Sequence, residues 1–230
     1  YLHLITSRES WRKFRLYAME YNRKEALRYL GAKQDDEAAG VLVDVAYLKL
    51  RNEVQARYVL RKHGVTVDAE GVTLDVGVRF NSRDLAAHLK GCDKVLLLGA
   101  TLGSRVDVAI RRLALGSVAE GAAAQAVAAA LIESYCDSVQ AEAETEGLAQ
   151  RPRFSPGYGD WRLEEQKQLF AVLDCAKRIG LTLTDGLMMA PSKSVTAIIG
   201  LSEDAACVQN KCMTCSNINC PYRDTDIKKV

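Results

Sequence analysis

The chain is predicted to fold as an α+β domain, with a mixed or antiparallel central sheet flanked by helices and a short Cys-rich tail at the C-terminus. Three observations predict it. Capped amphipathic segments open the chain, strand-like segments follow, and helices then return ahead of two further strands. This blocked order favours α+β over a doubly wound parallel sheet, in which strands and helices alternate throughout.

Residues 1–18 carry Arg8, Arg12, Lys13 and Arg15 among scattered aromatics and fit no strong template, whereas Met19 begins a segment that reads like a native start. Asn22 is placed to cap a short helix and Gly31 to end it. From Asp35 to about Asn52, Ala38, Val41, Leu42, Val45 and Leu48 recur at spacings of three and four, predicting an amphipathic helix with that stripe packed inward. Residues 55–67 and Val72 to Val78 read as strands of a meander or hairpin, and Ser82 should cap a helix that Gly91 terminates.

Lys94 to Gly99 is a short apolar run that predicts a buried strand, followed by a glycine turn and a helix from Val106. A strand, a glycine turn and a helix N-terminus make a natural anion site, although the glycines of a dinucleotide fingerprint are absent and a plain structural turn fits as well. Gly116 ends that helix. Ser117 and Glu120 have capping-box spacing for the next one, which runs to about Glu144 with Ala119, Ala123, Val127, Ala130, Leu131 and Tyr135 as its packed stripe and Cys136 in the core. Leu163 to Ile179 predicts a helix with Leu169, Val172, Leu173 and Ala176 inward, before strands at Leu181 to Leu183 and Ser194 to Gly200.

A chain of 230 residues with 48% hydrophobic residues can bury a proper core. Thirty-one basic against 29 acidic residues give a formal charge of +2, too balanced for an electrostatic grip on nucleic acid. No apolar run approaches the roughly 20 residues that span a bilayer, and no secretory leader opens the sequence, so the expectation is a cytoplasmic protein without a membrane or nucleic-acid partner.

The stretch from Arg151 to Trp161 carries most of the functional signal. Pro152 and Pro156 fix φ, while Gly157 and Gly159 permit positive φ and close backbone approach. Arg153 offers a planar fork for a carboxylate, the backbone around Ser155 and Gly157 offers amide donors, and Tyr158 offers a ring face and a hydroxyl. Such a loop suits a small zwitterion; an ordinary surface turn would use the same residue types.

Arg153 to Tyr158 resembles the Arg-Pro-Ala-x-Gly-Tyr loop of the activation domain of vitamin B12-dependent methionine synthase. A second match follows in order: Leu183-Thr184-Asp185 leads to Met189, Pro191, Ser194 and Val195, similar to the family's Leu-Thr-Glu and Met-x-Pro-x-x-Ser-Val. The resemblance covers roughly residues 80–202, including Cys92 to Gly103. It departs at Gly159-Asp160-Trp161, where the large enzymes have Pro-x-Cys-Pro-x-His. Gly147 stands where they carry an acid six residues before the arginine, with Glu144 and Glu146 as nearby substitutes, and their paired tyrosines have no counterpart after Val195.

The resemblance implies a fold of the predicted kind and an S-adenosylmethionine site held by Arg153, Ser155, Gly157 and Tyr158. It further implies a stand-alone activation protein for a cobalamin-dependent methionine synthase or related corrinoid protein, in which the bound methyl donor faces oxidised cobalamin on the partner for reductive remethylation. No residue need act as general acid or base; catalysis would be positional, within a methyltransferase system.

Cys207, Cys212, Cys215 and Cys220 stand as C-x4-C-x2-C-x4-C with Pro221 after the last. Crowded thiolates in a reducing compartment indicate metal ligation. The close spacing and trailing proline favour an iron-sulfur cluster, with zinc as the alternative. The chain therefore divides into an N-terminal extension (1–18), an activation-domain-like body (19–203) and a Cys-rich metal-binding tail (204–230). The second functional reading is a metal-bearing electron-transfer or interaction module that kept the fold without binding S-adenosylmethionine.

Overall fold

The computed structural model describes residues 21–203. Two helices open it: α1 (Arg23–Leu30), capped by the Asn22 side chain and closed by Gly31 in the left-handed region, and α2 (Glu37–Leu50), capped by Asp36. A meander of β1 (Arg57–Val67), β2 (Val72–Leu74) and β3 (Arg79–Phe80) follows; the predicted strand from Val72 to Val78 is interrupted by a turn at Asp75 to Gly77. Then come α3 (Arg83–His88), β4 (Lys94–Thr101), α4 (Ser104–Gly116) and α5 (Val118–Ala141). Two-residue β5 (Ala149–Gln150) precedes the arginine loop. A 3-10 turn at Leu163–Glu165, α6 (Gln166–Leu173), α7 (Cys175–Ile179), β6 (Thr182–Leu183), β7 (Met189–Ala190) and β8 (Ser194–Ser202) complete the described residues.

The main sheet has the order β3-β2-β1-β4-β8-β5 and every pairing is antiparallel, so the predicted α+β class holds with the antiparallel form of the sheet. Strand β6 does not join it; with β7 it forms a separate two-stranded hairpin. Two apolar layers sandwich the sheet. On one face α1, α2, α4 and α5 pack around Leu98, Val127, Leu131 and Tyr135. On the other, α3, α6 and α7 pack around Phe80, Leu97, Trp161 and Leu173. Both faces of β4 and β8 are covered, which explains why each reads as a nearly continuous apolar run.

Two helical expectations are corrected. In α2 the buried residues are Ala39, Gly40, Val43, Ala46 and Leu50, whereas Val41, Val45 and Leu48 of the predicted inward stripe are exposed. The helix is apolar nearly all round, so its pattern does not single out a core face, and the small residues Ala39, Gly40 and Ala46 take it together with Val43 and Leu50. The helix predicted from Leu163 to Ile179 breaks at Asp174, which adopts φ 54°, a left-handed conformation that aspartate tolerates. The break rotates the following turn, so Cys175 and Ile179 point inward and Ala176 faces solvent. Ala119 is likewise exposed at the start of α5, and α5 ends at Ala141.

Candidate functional site

The arginine loop is fastened to the body along its length. Phe154 pairs with Ile198 of β8 through both backbone bonds (2.9 and 2.8 Å), an isolated bridge on the edge of β8 that β5 also occupies. Arg151 donates from its amide to Gly200 O (2.8 Å) and from its guanidinium to Lys90 O (2.7 Å). His88 Nε2 lies 2.9 Å from Pro152 O, with its ring 5.0 Å from that of Phe154. Trp161, 1% exposed, fills the pocket between Phe80 and Phe154 and donates its indole N–H to Glu165.

The residues Gly159, Asp160 and Trp161, where the chain departs from the family pattern, thus have a structural account. Asp160 accepts from the Ser82 hydroxyl and from the amides of Arg83 and Asp84, binding the loop to the start of α3. Those contacts, led by the Ser82 hydroxyl and opposed by partial desolvation, hold the Asp160 carboxyl below its ordinary value. Gly159 sits at φ 54° against Asp84, and Gly157 at φ 93°.

Arg153 is not the open surface fork that the sequence suggests. It is 6% exposed and reaches across to α5, where Nη2 donates to Glu133 (2.8 Å) and Nη1 to Asp137 (2.7 Å) and Gln140 (3.0 Å). The amides of Gly157 and Tyr158 close the turn on itself by donating to Trp161 O (2.8 Å) and Ser155 O (3.1 Å). Tyr158 stands half-exposed at the rim, its ring edge-on to Phe154. Burial and then the charge of Glu133 raise its hydroxyl pKa, and Arg153 opposes them. Tyr29 of α1 is pushed to about 12 in the same way, by burial and then Glu133. The site therefore brings together Arg153 and Tyr158 with three residues of α5 and a tyrosine of α1.

Sequence reasoning missed Glu133, Asp137 and Gln140. Their signal was available: they stand at i, i+4 and i+7 on a helix otherwise rich in alanine, a polar stripe on one face. Of the two acids near Gly147, Glu146 is engaged instead by Lys62 and Lys94.

The second motif closes the end of the sheet near α4. Asp107 accepts the amide (2.8 Å) and hydroxyl (2.7 Å) of Ser192, so the first turn of α4 is already tied to the segment ahead of β8. An open cleft of about 350 Å3, lined by Lys167, Phe170, Asp174, Cys175 and Leu181 to Leu183, lies on the other face of the sheet from Arg153. Among the described residues no group of His, Cys, Asp or Glu is arranged to hold a metal ion, and no helix is long and apolar enough to cross a membrane. Cys207, Cys212, Cys215 and Cys220, like residues 1–18, lie outside the described residues.

Residues 123–214 match the family model described as vitamin B12 dependent methionine synthase, activation domain. That span takes in most of α5, the arginine loop and everything to β8, and continues through Cys212, beyond the 202 at which the motif resemblance ends. A crystal structure of the MetH reactivation domain bound to AdoHcy matches the fold with a TM-score of 0.58 at 16% identity, covering 77% of this chain and 69% of that one. No curated protein sequence matches. Over residues 123–214 the chain is therefore similar to the activation domain of vitamin B12-dependent methionine synthase, and it shares the fold of the MetH reactivation domain.

Proposed function

We propose that this chain is a stand-alone S-adenosylmethionine-binding activation protein that serves a cobalamin-dependent methionine synthase or related corrinoid partner in the cytoplasm. The observation that carries the reading is that the family match spans the arginine loop and the α5 residues packed against it. The AdoHcy bound to the structurally similar domain supports the ligand class. Arg153 supplies charge for the ligand's carboxylate, the backbone of Ser155 and Gly157 shapes the floor, and Tyr158 offers a ring and hydroxyl at the rim. Cobalamin on the partner supplies the centre that accepts the methyl group; the residues here bind and orient the donor. The four C-terminal cysteines are read, on their spacing alone, as an iron-sulfur or zinc site.

Calorimetric titration with S-adenosylmethionine and S-adenosylhomocysteine tests the proposal. Saturable heat from both is expected, and its absence for either at millimolar ligand sinks the reading. One observation favours the second reading, an electron-transfer or interaction module without this ligand: the Arg153 fork is already filled by Glu133 and Asp137. Under that reading neither ligand gives heat.

A further inference from the structure

Arg153 meets three partners on α5, and they differ in how they face solvent. The Arg153 side chain is 7% exposed, Glu133 35% and Asp137 70%. Glu133 lies on the Nη2 side, next to the environment of Tyr158 and Tyr29. Asp137 covers Nη1, together with Gln140. Of the two acidic partners, Asp137 is the one that solvent reaches most.

We propose that Asp137 is an internal stand-in for the ligand's carboxylate: it occupies the solvent side of the Arg153 fork in the empty protein and is displaced when a carboxylate-bearing ligand binds. The proposal rests on the reading that Arg153 holds such a ligand. Exchange at Nη1 conserves the charge paired with the arginine, since one carboxylate replaces another at a contact of the same kind. The cost to Asp137 is low because a side chain this exposed recovers its hydration on turning outward. Glu133 remains in place, so the guanidinium keeps a partly buried partner throughout. Asp137 thereby sets affinity and specificity: it competes with every carboxylate ligand and is indifferent to a ligand that lacks the group.

The experiment compares wild-type protein with Asp137→Ala and Asp137→Asn by calorimetry, using S-adenosylmethionine and 5′-methylthioadenosine, which lacks the amino-acid end. Asp137→Ala is expected to bind S-adenosylmethionine tighter by roughly three- to tenfold, the scale of one contested charge-assisted contact, with 5′-methylthioadenosine unchanged. Asp137→Asn should gain less, because its amide oxygen can still accept from Nη1. Wild-type binding with an equal or weaker affinity in Asp137→Ala overturns the stand-in, as does an equal gain for both ligands. Absence of wild-type binding overturns the underlying reading together with it.

Discussion

The carboxylate of Asp160 faces the hydroxyl of Ser82 across the seam between the arginine loop and α3, and accepts it together with the first two amides of that helix. Ser82 in turn caps α3 at the Leu85 amide (2.9 Å), so one hydrogen-bonded chain runs from the loop into the helix. Replacing Asp160 by Ala should cost about 1 kcal/mol, the usual value of a lost cap, and loosen the loop. Urea unfolding measures the first effect and amide exchange at Gly157 and Tyr158 the second; protection that survives the substitution would show that the other fastenings hold the loop without Asp160.

Trp161 is the larger anchor. Trp161→Ala removes a fully buried side chain between Phe80 and Phe154 and is expected to cost about 3–5 kcal/mol, while Trp161→Phe, which keeps most of the ring volume but loses the bond to Glu165, should cost about 1–2 kcal/mol. Denaturation midpoints for the two variants check both the size and the order.

Arg153→Met is expected to lower stability by about 1–3 kcal/mol, because Glu133 and Gln140 lose their buried partner while exposed Asp137 simply rehydrates. The same change should abolish the binding heat proposed above. A variant as stable as wild type would mean that the three α5 partners are solvated without the arginine.

Glu146 gives the acid limb of stability a specific shape. Hydrogen bonds from Lys62 and Lys94, then their charges, lower its pKa from 4.5 to about 2. The folded chain therefore binds this proton less readily than the unfolded chain, so its contribution is complete above pH 4.5 and lost as the pH falls to about 2. Glu146→Gln should be less stable than wild type at neutral pH, with the difference shrinking across that window. As the group is exposed, about 1 M salt should shrink it too; a difference independent of pH would assign the effect to the turn rather than to charge.

The two faces of α2 can be separated by mutation. Val41→Ser, on the exposed side, should stay within about 0.5 kcal/mol of wild type, whereas Val43→Ala, at a fully buried position, should cost about 1–3 kcal/mol. Thermal melts of the pair would reverse that order if the stripe of Ala38, Val41, Leu42, Val45 and Leu48 were the packed one.

What the sequence made legible was local. Asn22, Ser82 and Ser117 cap the helices expected of them because a cap is decided within three residues, and Gly31 closes α1 for the same reason. The phase of α2 was not legible, since both of its faces are apolar and only the fit of Ala39, Gly40 and Ala46 against α1 and α5 selects between them. At the site, the loop and its glycine conformations were legible, but the burial of Arg153 was not. Its partners lie 13, 16 and 20 residues away on a helix whose rotation relative to the loop is set by the whole sheet.

The register of β8 has a further consequence, for the order of assembly during synthesis. Strand β8 lies between β4 and β5 and pairs Ser194 to Leu201 with Thr101 to Lys94, partners about a hundred positions apart in the chain. A nascent chain that ends before Ser194 presents β4 with an unfilled apolar edge and gives Phe154 no strand to pair with. The helical layer of α1, α2, α4 and α5 is already complete in sequence by Ala141, so the emerging polypeptide can build half of its core early and must wait for its last strand to shape the arginine loop.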